Sequence, residues 1–130
     1  MPIKKSIIQN GGNVTNKMFS SNYVTLSTIP KSGFGVFAGR YYKKGEVVEM
    51  CPFYEMPNFK HLESYTYTSH LDNKKSIIVF GNGSLFNHSI NNNLKYVYNK
   101  DMDRIIKYVA TKNIKPTDEL FINYGTTYKW

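Results

Sequence analysis

The sequence predicts a single, mostly β domain of many short strands with one short helix. Three observations carry this. Apolar and polar residues alternate in short runs, about one run every ten residues. Glycine, proline and asparagine punctuate those runs. Eleven Tyr and eight Phe in 130 residues suit pleated, half-buried strands.

Residues 1–21 hold Gly11-Gly12, several Asn and no acid, and read as a flexible lead-in or an edge strand near Ile7. The domain proper is expected over 22–130. Tyr23 to Ile29 alternates like a strand, and Pro30-Lys31-Ser32-Gly33 forms a turn. Phe34 to Ala38 is a short aromatic strand closed by Gly39. Lys43-Lys44-Gly45 turns the chain into a strand over Glu46 to Met50. Asn58 to about Leu71 is the expected helix, capped by Asn58, with Phe59, Leu62 and Tyr65 near helical spacing. Ser76 to Phe80 is a β-branched run. Leu94 to Tyr98 and Ile105 to Ala110 flank a polar turn and predict a hairpin. Glu119 to Tyr124 is the last strand, ended by Gly125, and a short aromatic tail follows. Spacing alone would fit a small barrel or a sandwich.

Composition excludes several classes. The single cysteine, Cys51, rules out a disulfide framework and a multi-thiolate zinc site, and reads as a lone buried thiol. His61, His70 and His88 show no metal-ligand spacing. Residues 1–20 contain no secretory apolar run, and nothing approaches the roughly 20 apolar residues of a membrane span, so a soluble, intracellular protein is expected, in the cytoplasm or a host nucleus. The net charge of +8 is spread as scattered Lys with only two Arg. That pattern supports nonspecific nucleic-acid contact at most, because base readout leans on Arg.

Three segments carry more polar punctuation than strands need. In Gly33-Phe34-Gly35, two glycines let the backbone approach a ligand closely, although taken alone a turn glycine plus a bulge glycine is the better explanation. In Leu85-Phe86-Asn87-His88-Ser89, a polar trio beside apolar residues must bond either a loop or a ligand. In Glu119 to Gly125, Tyr124 sits where a strand ends at a glycine.

Together and in this order the three segments resemble the SET-domain family. The first is similar to its early Gly-x-Gly segment, continuing as Val36-Phe37-Ala38. The second is similar to its Asn-His-Ser motif, with Asn92 where proline is usual before Asn93. The third is similar to its Glu-Leu-x-x-Asp-Tyr motif, with Asn123 in place of the frequent Asp. The match spans about Val24 to Tyr128. In size the chain resembles the small stand-alone SET proteins of large DNA viruses and some bacteria, which also lack flanking cysteine-rich zinc segments.

The resemblance implies a β-clip of several short curved sheets, one short helix and a C-terminal pseudoknot that brings Asn87-His88 next to Tyr124. It implies a protein-lysine methyltransferase that uses S-adenosylmethionine and no metal. Gly33, Phe34 and Gly35 would line the methionine end of that cofactor, Asn87 would bond its ammonium, and the His88 backbone would meet the adenine. Tyr65 aligns with a helix tyrosine near the cofactor, and Tyr128 in the tail would stack on adenine. Tyr124 would be catalytic, and Tyr96 would touch the substrate amine. The implied partner is a lysine-bearing protein segment such as a histone tail. Small viral members pair as homodimers, although no interface is legible here. Because histone tails are basic, a +8 chain would need a local acidic patch, with Glu49, Glu55 and Glu63 as candidates, and strand addition. Two other classes stay open: a catalytically silent SET-fold module that binds peptide or cofactor, and a basic nucleic-acid-binding small β domain.

Overall fold

The computed structural model describes residues 20–58, 60–69, 74–97 and 104–123, with the side chains of residues 63 and 64 also outside the description. Among the described residues nine strands form two sheets. These are β1 (Tyr23–Leu26), β2 (Phe34–Phe37), β3 (Val47–Pro57), β4 (Thr66–Thr68), β5 (Lys75–Val79), β6 (Asn87–His88), β7 (Leu94–Val97), β8 (Ile105–Ala110) and β9 (Glu119–Ile122). One sheet runs β1-β2-β9-β6 and the other β4-β5-β3-β8-β7. The mostly β expectation holds, and the hairpin between Leu94 and Ala110 is present as the antiparallel pair β7–β8.

The expected helix is replaced by a 3-10 turn over Lys60–Tyr65, followed at once by β4. Thr66, Tyr67 and Thr68 gain ladder bonds and packing against β5, and these outweigh the weak helical periodicity. The strand expected over Glu46 to Met50 runs on to Pro57. Pro52 sits where β3 changes partner: residues Val47 to Pro52 pair with β8, and Phe53 to Pro57 pair with β5. A proline in a central strand is tolerated at such a changeover, where a missing N–H costs little.

The core draws on both sheets. Val36, Tyr42, Cys51, Ile77, Phe86, Ile106, Tyr108, Leu120 and Ile122 are all nearly inaccessible. Burial pushes the Cys51 thiol up to about 11, with the Glu49 charge adding to the effect, so it is an unreactive core group. Among the described residues no helix is long and apolar enough to cross a membrane.

The feature that positions everything else is β9. It pairs antiparallel with β2 (Val36 with Leu120) and parallel with the two-residue β6 (Asn87 with Phe121, His88 with Ile122). The loop after β6 lies along it, with Ser89 N donating to Ile122 O and Asn93 N to Phe121 O. A late strand is thus clasped between an early strand and a mid-chain loop, the arrangement a C-terminal pseudoknot needs. At the other end, Ser20 and Asn22 both donate to the buried Glu49 carboxylate, so the chain is already anchored there. The lead-in, including Ile7, lies outside the described residues.

Candidate functional site

The β1–β2 turn is set by backbone geometry. Ser32 N donates to Ile29 O and Ser27 N to Gly33 O, with Lys31 and Gly33 both at positive φ. Gly33 fits that conformation without the strain a side chain brings. Gly35 follows in β2 for a different reason. A Cβ there would run into the Glu119 carboxylate and stand 3.1 Å from Asn87 Nδ2. The Gly-x-Gly segment, the Asn-His-Ser segment and the strand leading to Tyr124 therefore meet at one point.

Glu119 is the hub of that meeting. It is 6% exposed and accepts four hydrogen bonds. Thr28 N (2.7 Å) and Thr28 Oγ1 (2.6 Å) donate to Oε1, and Ser27 Oγ (2.7 Å) and Asn87 Nδ2 (3.2 Å) donate to Oε2. Burial alone pushes this carboxyl up. The Thr28 hydroxyl and N–H, with Ser27 and Asn87, outweigh burial and hold it below its ordinary value. Because the folded value is depressed, the stability Glu119 contributes is present in full above pH 4.5 and is lost as pH falls through the lowered folded value. The stability gap between the parent and Glu119→Gln should therefore narrow below pH 4.5. Urea melts near neutrality and in acid test this, and a gap independent of pH would refute it.

Asn87 bridges the segments. Its Nδ2 donates to Phe34 O (3.0 Å) as well as to Glu119. Both partners are acceptors, so the nitrogen must face them and the carboxamide oxygen faces away. Among the described residues no group donates to that oxygen. It is an oriented acceptor at the end of the glycine-flanked turn, fit to receive a ligand ammonium.

The other expected site residues fall into three groups. Phe34 is largely exposed beside this point and His88 is half-buried in β6. Tyr65 ends the 3-10 turn, 55% exposed, and among the described residues no bond or ring contact ties it to the Asn87 cluster. Tyr96 is buried in an aromatic cluster, edge-on to Tyr67 at 4.7 Å and 6.0 Å from the Tyr108 ring. The Tyr67 hydroxyl bonds Gly83 O and the Tyr108 hydroxyl, each at 2.9 Å. Burial raises Tyr108 well above the usual tyrosine range, and the neighbouring Tyr67 adds to this. Tyr124 and Tyr128 lie outside the described residues.

The sequence assigned no role to Glu119, Asn93, Tyr67 or Tyr108. Glu119 and Asn93 stood inside the quoted motifs, and their position there was the available signal. The acidic-patch expectation is corrected in part. Glu49 is buried and bonded to Ser20, Asn22 and Asn82, which removes it from the surface. Glu55 accepts from Ser69 and pairs with Lys75, and the Glu63 side chain lies outside the described residues. Among the described residues no three His, Cys, Asp or Glu are placed to hold a metal ion.

The SET-domain model matches residues 33–125, from the first glycine of the turn to the glycine after Tyr124. The chain belongs to the SET-domain family. Solved SET structures match it well. The crystal structure of a Plasmodium falciparum candidate histone methyltransferase is 27% identical, with TM-score 0.68, and the match covers 85% of this chain and 97% of that one. CpSET8 from Cryptosporidium is 22% identical, with TM-score 0.61, covering 84% of this chain and 60% of that one. In the Chaetomium thermophilum polycomb repressive complex 2, the match covers 83% of this chain but 16% of that one, at 22% identity and TM-score 0.63. The last two, at this identity, attest the fold alone. No curated protein matches the sequence.

Proposed function

We propose that the protein is a methyltransferase that uses S-adenosylmethionine to methylate a lysine side chain of another protein, such as a histone tail. The observation that carries this is the Asn87 carboxamide, locked by Phe34 O and Glu119 with its oxygen turned away beside the Gly33–Gly35 turn. That oriented acceptor fits an amino-acid ammonium, which can only donate. The likeness to a candidate histone methyltransferase, over 85% of this chain and 97% of that one, supports the substrate class. Gly33, Phe34 and Gly35 would line the amino-acid end with backbone, the His88 backbone would meet the adenine, Tyr128 would stack on it, and Tyr65 would lie near the cofactor.

S-adenosylmethionine supplies the methyl group on a positively charged sulfonium. The protein's task is orientation and desolvation. A free lysine, with pKa about 10.4, is almost wholly protonated near neutrality. Tyrosine rings around the amine, with Tyr96 proposed among them, disfavour its charged form and lower that value. The Tyr124 hydroxyl would aim the nitrogen lone pair. No general base of unusual strength is required.

Long-range attraction does not bring a basic substrate to this surface. The net charge is +8, and two of the nine acids, Glu49 and Glu119, are buried. Recognition would rest on short-range contacts, including strand addition at a sheet edge.

Asn87→Ala should weaken S-adenosylmethionine binding by roughly 1.5–3 kcal/mol, the loss of a hydrogen bond to a charged group. Calorimetry measures this directly, and unchanged affinity removes Asn87 from the site. Transfer of labelled methyl to histones and host-protein peptides tests the activity. Cofactor binding without transfer to any of them would favour the silent binding module.

A further inference from the structure

Glu119 lies one shell behind the proposed ligand acceptor, and it controls that acceptor through a rule of hydrogen-bond polarity. Of its four donors, the Ser27 and Thr28 hydroxyls can turn and accept instead. The Thr28 N–H and the Asn87 NH2 cannot. These two obligate donors sit on opposite oxygens, Thr28 N on Oε1 at 2.7 Å and Asn87 Nδ2 on Oε2 at 3.2 Å. Only a group that accepts at both ends satisfies both of them.

We propose that Glu119 is a positioning residue, whose carboxylate holds the Asn87 NH2 inward and so presents the Asn87 oxygen to a cationic ammonium. This rests on the reading of Asn87 as the ammonium acceptor. Gly35 is part of the same device, because any Cβ there displaces the carboxylate from Asn87. The cluster also ties Ser27 and Thr28 at the end of β1, Phe34 in β2 and Asn87 in β6 to the first residue of β9. The ligand-facing atom is thereby linked to the strand that ends two residues before Tyr124 in the sequence.

Glu119→Gln keeps size and shape but has one oxygen. The Thr28 N–H is fixed in the backbone, whereas Asn87 rotates about a single bond. The conflict therefore falls on Asn87, which turns its oxygen inward and its NH2 outward, giving up its bond to Phe34 O. An outward NH2 repels an ammonium and is indifferent to a ligand that lacks one.

The test uses S-adenosylhomocysteine and its deamino analogue, identical but for the α-amino group, with calorimetry on the parent and on Glu119→Gln. The variant is expected to lose about 10–100-fold in affinity for S-adenosylhomocysteine and little for the analogue. An equal loss for both ligands means a merely structural role and overturns the proposal. Ser27→Ala, which removes a donor from the same oxygen but leaves Asn87 bonded, should keep the parent's preference between the two. The side-chain NH2 resonances of Asn87, followed by NMR without ligand, supply an independent reading. They should shift and exchange faster in Glu119→Gln, and unchanged resonances sink the proposal whatever binds. If they shift while the parent binds neither ligand, Glu119 positions Asn87 and it is the cofactor reading that falls. If Glu119→Gln does not fold, Gly35→Ala displaces the carboxylate from the other side. It should show the same selective loss, and parent-like selectivity there overturns the proposal.

Discussion

Tyr124→Phe is expected to fold, to bind S-adenosylmethionine nearly as the parent does, and to lose about 10²–10³ in the rate of methyl transfer. Phenylalanine keeps the ring and removes one hydroxyl, so packing has little reason to change. Tyr124 follows directly on the segment that ends β9 and precedes Gly125, where the SET-domain match also ends. β9 is fixed on both sides, by β2 and by β6. In the proposed site the constrained strand before it would aim the Tyr124 hydroxyl, and an aimed hydroxyl in the transition state is worth about two to three orders of magnitude. Single-turnover transfer beside a cofactor titration measures both quantities. A variant that transfers methyl at close to the parent rate ends the catalytic assignment. One that loses cofactor affinity in step with rate moves Tyr124 from chemistry to binding.

The parts of the site that were legible in the sequence are those where residue type is forced by local chemistry. Gly33 marks a positive-φ turn and Gly35 a close approach to Glu119 and Asn87, and both were readable as positions that need a glycine. Asn87 was readable because polar residues beside Leu85 and Phe86 must find partners. What the sequence withheld is the identity of those partners. Glu119 is 32 residues from Asn87 and 91 from Thr28, separations across which no periodicity reports contact. Its neighbour in sequence, Leu120, is an ordinary core residue, so the strand pattern alone gave Glu119 no distinction.

The fold shows the same division. Strands with a turn on each side, such as β2 and β9, were located to within a residue or two. β6 was missed because two residues carry no alternation, and it exists only because β9 lies alongside. β3 was cut short at Met50, since nothing in the chain signals that two different strands share its length. The 3-10 turn was taken for a helix because three apolar residues at helical spacing look the same in either, and the following β4 depends on β5 for its existence. Tyr96 was legible as a tyrosine of interest. Its packing against Tyr67 was not, because the cluster joins the β7–β8 hairpin to β4 from a separate part of the chain.

Asn93→Ala is expected to cost about 2–4 kcal/mol of stability, more than its size suggests, because it strands two backbone groups at once. Asn93 is 9% exposed. Its Nδ2 donates to Glu119 O at 2.9 Å and its Oδ1 accepts from Phe121 N at 2.8 Å, so the side chain pairs two backbone groups of β9 as a strand residue would. Its own backbone is engaged too, with N donating to Phe121 O and O accepting from Thr111 N. Truncation leaves the Glu119 carbonyl and the Phe121 N–H without partners in a poorly hydrated place, at about 1–3 kcal/mol each, discounted for the partial exposure of Phe121. Asn93→Leu separates the two contributions: it restores volume but neither hydrogen bond, and should be nearly as unstable as the alanine variant. Chemical denaturation of the parent and both variants measures the cost, and a midpoint drop of about 8–16 °C is the thermal counterpart. Methyl transfer should fall further than cofactor binding, since β9 carries the chain toward Tyr124 while Asn87 keeps its bond to Phe34 O. If Asn93→Leu is as stable as the parent, the side chain serves only to fill space, and the clasp on β9 comes from the backbone alone.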